Sequence, residues 1–317
     1  LLLLVSFGIK AAVFPLFFWL PDAYPAAPSS VTAVFAGLLT KVGVYAIIRT
    51  ETQLFADNDV NLLLMVIALA TMIVGVLGAV AQAELKRILS FTLVSHVGYM
   101  IFGLAIGTAE AIGVTVYYIV HHIIVQTTLF LAVGLVERRA GSTSILKVKG
   151  LMKAAPVIAV LYFIPAINLG GLPPFSGFIG KFALFEAAAE VGTPIMLVLI
   201  VGGIVTSLLT LYALMRAWNL AFWREEDDQA APDAQIAYLD TAPAAGVQTQ
   251  RRIIPKVMTA ATGGMVAVTI GLTVFAGPLL GITARAGIEL TTPVNITMLD
   301  TDDVLGTLET TKEEVAP

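Results

Sequence analysis

Recurring stretches of about 20 residues that are nearly free of charge constrain this chain more than any motif in it. Written as helix at ~1.5 Å per residue, such a stretch crosses a ~30 Å hydrocarbon core, and in water it would have no polar face to present. Eight can be marked, at 1–20, 29–50, 62–83, 88–107, 111–136, 155–190, 193–222 and 255–281. Lipid offers no partner to backbone N–H and C=O groups, so segments of this kind must be helical. The expectation is an all-α, polytopic transmembrane helical bundle of about eight spans. With 58% hydrophobic and 13% charged residues, the chain carries about half the charge of an ordinary soluble domain. Cysteine is absent, which excludes disulfides, thiolate metal sites and cysteine nucleophiles. No phosphate-binding loop, metal-ligand cluster or nucleophile constellation is present, so no catalytic residue, metal or cofactor is expected, and an enzyme is not the expected class.

Two spans are interrupted. The run 155–190 is too long for one simple crossing and contains Gly170, Gly171, Pro173 and Pro174, which remove helix hydrogen bonds and predict two half-helices. Span 1–20 carries Pro15, followed by Pro21. The two broken spans are five apart and therefore cross in opposite directions, as an inverted repeat with two discontinuous helices requires. The organisation expected is a membrane domain over 1–225, a cytoplasmic linker over 226–252 rich in Ala, Pro, Gln and Asp, a final transmembrane helix over 253–281 and a polar, acidic tail over 282–317. The opening LLLLVSFGIK has neither a basic n-region nor a small-residue cleavage site, and reads as an internal start rather than a signal peptide.

Alternating the spans gathers Lys86, Arg87, Arg138, Arg139, Lys147, Lys149, Lys153, Arg216, Arg224, Arg251, Arg252 and Lys256 at one surface, against Arg49, Arg285 and Lys312 at the other. The crowded side is the cytoplasmic one by the positive-inside rule, giving a multi-pass protein of the cell membrane with an extracytoplasmic C-terminal tail. A formal charge of −4 distributed in this way argues for the lipid bilayer as neighbour and for no nucleic-acid partner.

The informative charges are the deep ones. Counting ~1.5 Å per residue from the nearest span end puts Lys10, Lys41 and Lys181 about 16–18 Å down, His121 and His122 about 15–17 Å down, and His96 about 12 Å down. A charge at that depth costs ~2.5–3.5 kcal/mol on insertion scales. Any one lysine could instead snorkel or pair with a helix carbonyl, but none lies near a span end. His121 and His122 stand about 100° apart on their helix, so only one need face a polar interior. Burial disfavours the protonated form of Lys and His, so a buried chain of them can lose and regain protons at modest cost. His96 sits among Ser90, Thr92, Ser95 and Tyr99, hydroxyls that could support a short water chain or serve as ordinary packing. Glu186, about 9 Å from a span end, is a secondary candidate beside His96 and His121.

The segments FGIKAAVFPLFFWLPDAYPAAPSSVTAVFAGLLTKVGVYAIIR, QAELKRILSFTLVSHVGYM, YYIVHHIIVQTTLFLAVG and NLGGLPPFSGFIGKF resemble, in this order, the proton-translocating domain shared by Mrp sodium/proton antiporter subunits and the antiporter-like subunits of respiratory NADH dehydrogenase. The resemblance covers residues 1 to about 225. It implies two inverted five-helix repeats and a midplane proton relay through Lys10, Lys41, His122 and Lys181, with a paired glutamate on a helix outside this sequence. It also implies other membrane subunits as partners and protons and monovalent cations as cargo. PPFSGFIGK and HHIIVQTTLF are similar to the D-type branch of the Mrp antiporter family, which usually has a carboxylate after the first histidine and a lysine where Gln126 stands. Two other functions stay open: a proton-pumping subunit of a respiratory dehydrogenase or membrane hydrogenase, and a non-conducting assembly subunit. The second gains nothing from three midplane lysines.

Overall fold

The computed structural model describes residues 1–55, 60–224 and 254–292. Apart from one isolated bridge, Glu84 to Ser144, the regular structure of these residues is helical. In chain order the helices are α1 Leu2–Ala11, α2 Trp19–Ala26, α3 Ser29–Arg49, α4 Asn61–Ala81, α5 Leu85–Ile106, α6 Ala109–Ala140, α7 Leu151–Ala154, α8 Pro156–Gly170, α9 Ser176–Val191, α10 Pro194–Trp218, α11 Lys256–Val274 and α12 Ala276–Thr291. Single π turns, Thr50–Leu54 and Asn219–Trp223, prolong α3 and α10. Six helices among the described residues are long and apolar enough to cross a membrane, and the two broken spans, α1/α2 and α8/α9, complete the expected set. The protein is a polytopic helical membrane protein.

Local chemistry sets the helix ends. α5 stops at Gly107, whose φ of 78° suits glycine, and the next residue, Thr108, caps α6 by accepting a hydrogen bond from the Ala111 N–H. This short connection makes α5 and α6 an antiparallel hairpin at the centre of the bundle. The apolar window of α5 is 94% buried, against 28% for α10 and 17% for α11, so α5 is the core helix and the outer two meet lipid or other protein. α4 lies on α5 backbone to backbone: a Cβ on Gly75 would come 2.5 Å from the Ser95 nitrogen, and one on Gly98 2.7 Å from the Met72 nitrogen. Small residues allow that approach, which lipid-embedded helices need because apolar burial does not drive them together.

The basic end is tied by its own charges. Lys86 pairs with Glu137 at 2.9 Å, Arg87 with Asp22 at 3.0 Å, and Arg224 donates to the Leu146 carbonyl at 2.9 Å. The last helices differ from a simple final span. Thr269 meets Thr128, Ala284 meets Gly113 and Gly287 meets Ala109, a descending register that runs α11 and α12 antiparallel along α6. Helix therefore continues past 281, where the hydropathy fades, to Thr291, because Gly287 lets the polar last turns close on α6. The linker expected over 226–252, and the tail from 293, lie outside the described residues.

Candidate functional site

The second break shows how side chains replace lost backbone bonds. Pro173 and Pro174 have no N–H, and Gly171 turns the chain out of α8 with φ 82°. Two carbonyls of α8 are thereby freed. The Lys181 ammonium, one turn into α9, donates to Leu169 O at 3.1 Å and to Ser207 Oγ of α10 at 2.9 Å, and Ser207 donates to Gly170 O at 2.8 Å. At the other side of the break, the first N–H groups of α9 are taken up by Asn168 Oδ1, which accepts from Gly177 at 2.8 Å, and by Thr273 Oγ1 of α11, which accepts from Ser176 at 3.1 Å. A lysine thus faces the negative end of one half-helix while neutral oxygens cap the positive end of the other. Tyr99 places its ring 5.0 Å from Lys181 Nζ and donates its hydroxyl to the Gly203 carbonyl.

From Lys181 a line of buried polar rings runs between α5 and α6. Tyr99 and Tyr118 are 5.7 Å apart, Tyr118 Oη lies 3.4 Å from His96 Nδ1, and the His96 and His122 rings are 5.1 Å apart, centre to centre. All three histidines are fully buried. His121, expected as the less polar of its pair, also has a polar neighbour: its Nδ1 lies 2.9 Å from Ser176 Oγ at the second break. Among the described residues, both nitrogens of His122, Nε2 of His96 and of His121, Thr40 Oγ1 and Gln126 Oε1 are buried without a hydrogen-bond partner. Native interiors leave few such atoms, and six of the ten found among the described residues lie in this region, the others being Arg87 Nε, Tyr162 Oη, Thr206 Oγ1 and Arg224 Nε.

Lys41 enters from α3. Its ammonium donates to Ala36 O at 2.6 Å on its own helix and the residue is 4% exposed. Thr127 donates to Ala33 O, and a Cβ on Gly37 would touch Thr127 and Ile123. That antiparallel register sets Lys41 level with the stretch from Ile119 to Ile123, which carries both histidines. Lys10 is different. It is exposed at the end of α1, where the backbone of Lys10 and Ala11 packs against Gly43, two residues beyond Lys41. The first break, at Pro15, is closed by the Trp19 indole donating to Ile9 O at 2.9 Å and by Thr71 Oγ1 accepting from the Phe14 N–H at 3.0 Å.

The structure therefore brings Lys41, His122, His96, His121 and Lys181 together and leaves Lys10 and Glu186 on exposed faces, outside the buried line. The hydroxyls around His96 pack: Ser90, Thr92 and Ser95 donate to the carbonyls of Lys86, Leu89 and Met72. Tyr118, Asn168, Ser176, Ser207 and Thr273 were not singled out by the sequence. Asn168 carried a signal, being a costly amide in an apolar span just before the break, whereas Ser207 and Thr273 are indistinguishable in sequence from packing hydroxyls. No group of three or more His, Cys, Asp or Glu residues among the described residues is arranged to hold a metal ion.

Comparison with known proteins gives a consistent result. Residues 1–210 match the family described as NADH:quinone oxidoreductase/Mrp antiporter, transmembrane. The D subunit of a sodium/proton antiporter from Alkalihalophilus pseudofirmus is 46% identical over 225 residues, covering 70% of this chain and 45% of that protein. A chain of the Mrp complex from Dietzia sp. DQ12-45-1b is similar with a TM-score of 0.80 and 33% identity, over 92% of this chain and 59% of that one. A chain of an archaeal respiratory membrane complex, the membrane-bound sulfane sulfur reductase, has a TM-score of 0.76 and 26% identity, over 91% and 55%. The chain spans about half the length of the curated relatives it matches.

Proposed function

This chain belongs to the NADH:quinone oxidoreductase/Mrp antiporter membrane family, and we propose that it works as a subunit of a multisubunit sodium/proton antiporter, carrying protons along Lys41, His122, His96 and Lys181. The observation that carries this reading is the buried line itself. It begins and ends on a lysine, its histidines have unpartnered ring nitrogens, and it crosses the two central helices. Each lysine can hold a proton where carbonyl oxygens surround it, Ala36 O for Lys41 and Leu169 O for Lys181, and release it to a neighbouring imidazole through water. Lys10, exposed at the end of α1 whose backbone packs on Gly43, is the outer member of the relay and stands outside the buried line.

In this reading protons enter by one half-path and leave by another, and other membrane subunits of the same complex supply what the chain itself does not. The protein is then an ion transporter subunit with no catalytic residue. Its basic surface faces the cytoplasm and its membrane is the cell membrane. The greater identity to antiporter subunits than to the respiratory chain favours cation exchange over redox-driven pumping. The test is Lys181→Ala in the full-length protein within its complex, with sodium-driven pH change read in membrane vesicles. Exchange is expected to be lost with normal assembly; undiminished exchange would overturn the proposal.

A further inference from the structure

At the end of the bundle opposite the basic surface lies a cavity of 190 Å³ to which the proton line assigns no role. We infer that it binds a monovalent cation, with the Glu51 carboxylate and the oxygens of Thr52, Asn61 and Thr291 as donors. The inference rests on the antiporter reading and deepens it by naming where the exchanged cation is held on that face.

The chemistry of the rim is one of acceptors. The Thr52 hydroxyl spends its proton on Ile48 O at 2.8 Å and the Thr291 hydroxyl on Gly287 O at 2.9 Å, so lone pairs are what both offer to the cavity. Neither of the ion pairs Lys86–Glu137 and Arg87–Asp22 involves Glu51. The surrounding end of the bundle adds Glu110, Glu190 and Glu289 against Arg49 and Arg285, and a net negative face concentrates cations. Carboxylate, hydroxyl and amide oxygens are the ligands of hard cations. One carboxylate among neutral oxygens matches a single positive charge, whereas calcium sites usually gather several carboxylates.

The donors are held in place. Glu51 and Thr52 stand on the π turn that ends α3, a geometry frequent at functional sites. Gln53 of the same turn donates to Leu290 O at 2.5 Å and to Thr292 O at 3.1 Å, fastening the end of α12, with Thr291, to that turn. The floor is apolar and closed: Leu64 and Ile112 are 2% and 1% exposed. A cation entering from outside therefore stops at the rim, separate from the buried lysines and histidines, and the volume leaves room for several of its waters.

The complete complex, carrying Glu51→Gln in this subunit, is assayed in right-side-out and in everted vesicles so that each face meets added NaCl in turn. Half-saturating NaCl is expected to rise about tenfold on the face bearing the cavity and to stay unchanged on the other, with the saturated rate kept and Glu51→Asp near the parent. An unchanged half-saturation on both faces overturns the site, as does loss of exchange at every NaCl concentration with normal assembly, which would put Glu51 in the proton path. If Glu51→Gln reduces assembly, Thr291→Val decides by the same measure, removing one donor and leaving the charge. Lys181→Ala separates the two readings: exchange lost there with Glu51→Gln at parental half-saturation removes only the cation site, and exchange kept there removes the antiporter.

Discussion

His96 of α5 and His122 of α6 face each other with ring centres 5.1 Å apart, and three of their four nitrogens have no hydrogen-bond partner among the described residues. Burying an unpaired polar group costs ~1–3 kcal/mol, so stability alone opposes this pair. A fold gains nothing by keeping it, whereas the proton path proposed above would use it.

The two effects therefore separate on substitution. His122→Leu is expected to leave the complex as stable as the parent or more so, and to lower sodium-driven exchange by about tenfold or more. Melting temperature and vesicle pH change, measured on the same preparation, check it. A rate equal to the parent's would remove His122 from the path.

Asn168 is expected to behave in the opposite way. Its Oδ1 accepts from Gly177 N–H and its Nδ2 donates to Ser176 Oγ, so Asn168→Ala uncaps α9 at the break and leaves buried donors unsatisfied. The loss should be ~1–3 kcal/mol, seen as a lower melting temperature, with exchange falling only as the amount of folded complex falls. A drop in rate per folded complex would assign Asn168 to the path itself.

Glycines on α5 and α11 provide a matched pair. A Cβ on Gly98 would lie 2.6 Å from Met72 Cγ and 2.7 Å from its nitrogen, while nothing lies within 4 Å of one on Gly264. Gly98→Ala should force α4 from α5 and sharply reduce membrane-inserted protein, whereas Gly264→Ala should leave it at the parental level or raise it slightly through helix propensity. Equal expression of the two, by quantitative blot, would contradict this packing.

How much of this was legible in sequence follows from what each feature depends on. Pro173, Pro174 and Pro15 announce their breaks because the missing N–H is a property of the residue itself. The depth of Lys41, Lys181 and the histidines follows from counting along one helix. That Lys181 answers the carbonyls of α8, or that Thr273 caps α9 from a helix almost 100 residues later, depends on which helices meet, and a hydroxyl looks the same wherever it points. Lys10 and Glu186 mark the same limit from the other side. Depth along the membrane is readable, but the direction around the helix that leaves both exposed is not. His121 has more polar company than a single polar face per helix would give it, because α6 is flanked by two polar neighbours, α5 and the second break.

The ion pair at the basic end yields an asymmetric prediction. Lys86 has a side chain only 7% exposed and meets Glu137 Oε1 at 2.9 Å, while the Ser29 hydroxyl donates to the other carboxylate oxygen at 2.7 Å; the Glu137 side chain is 41% exposed. This joint ties the starts of α3 and α5 to the end of α6. Glu137→Leu leaves an ammonium buried without its counter-charge, for a loss of ~2–3 kcal/mol. Lys86→Met leaves a carboxylate that water and Ser29 can still solvate, for a loss of ~1 kcal/mol or less. The double variant should then be more stable than Glu137→Leu alone, because removing Lys86 as well removes the stranded charge, and the coupling should appear as clear non-additivity in a denaturation cycle. Equal single losses that simply add would mean that the pair is an ordinary surface contact and that packing, rather than charge, holds the three helix ends together.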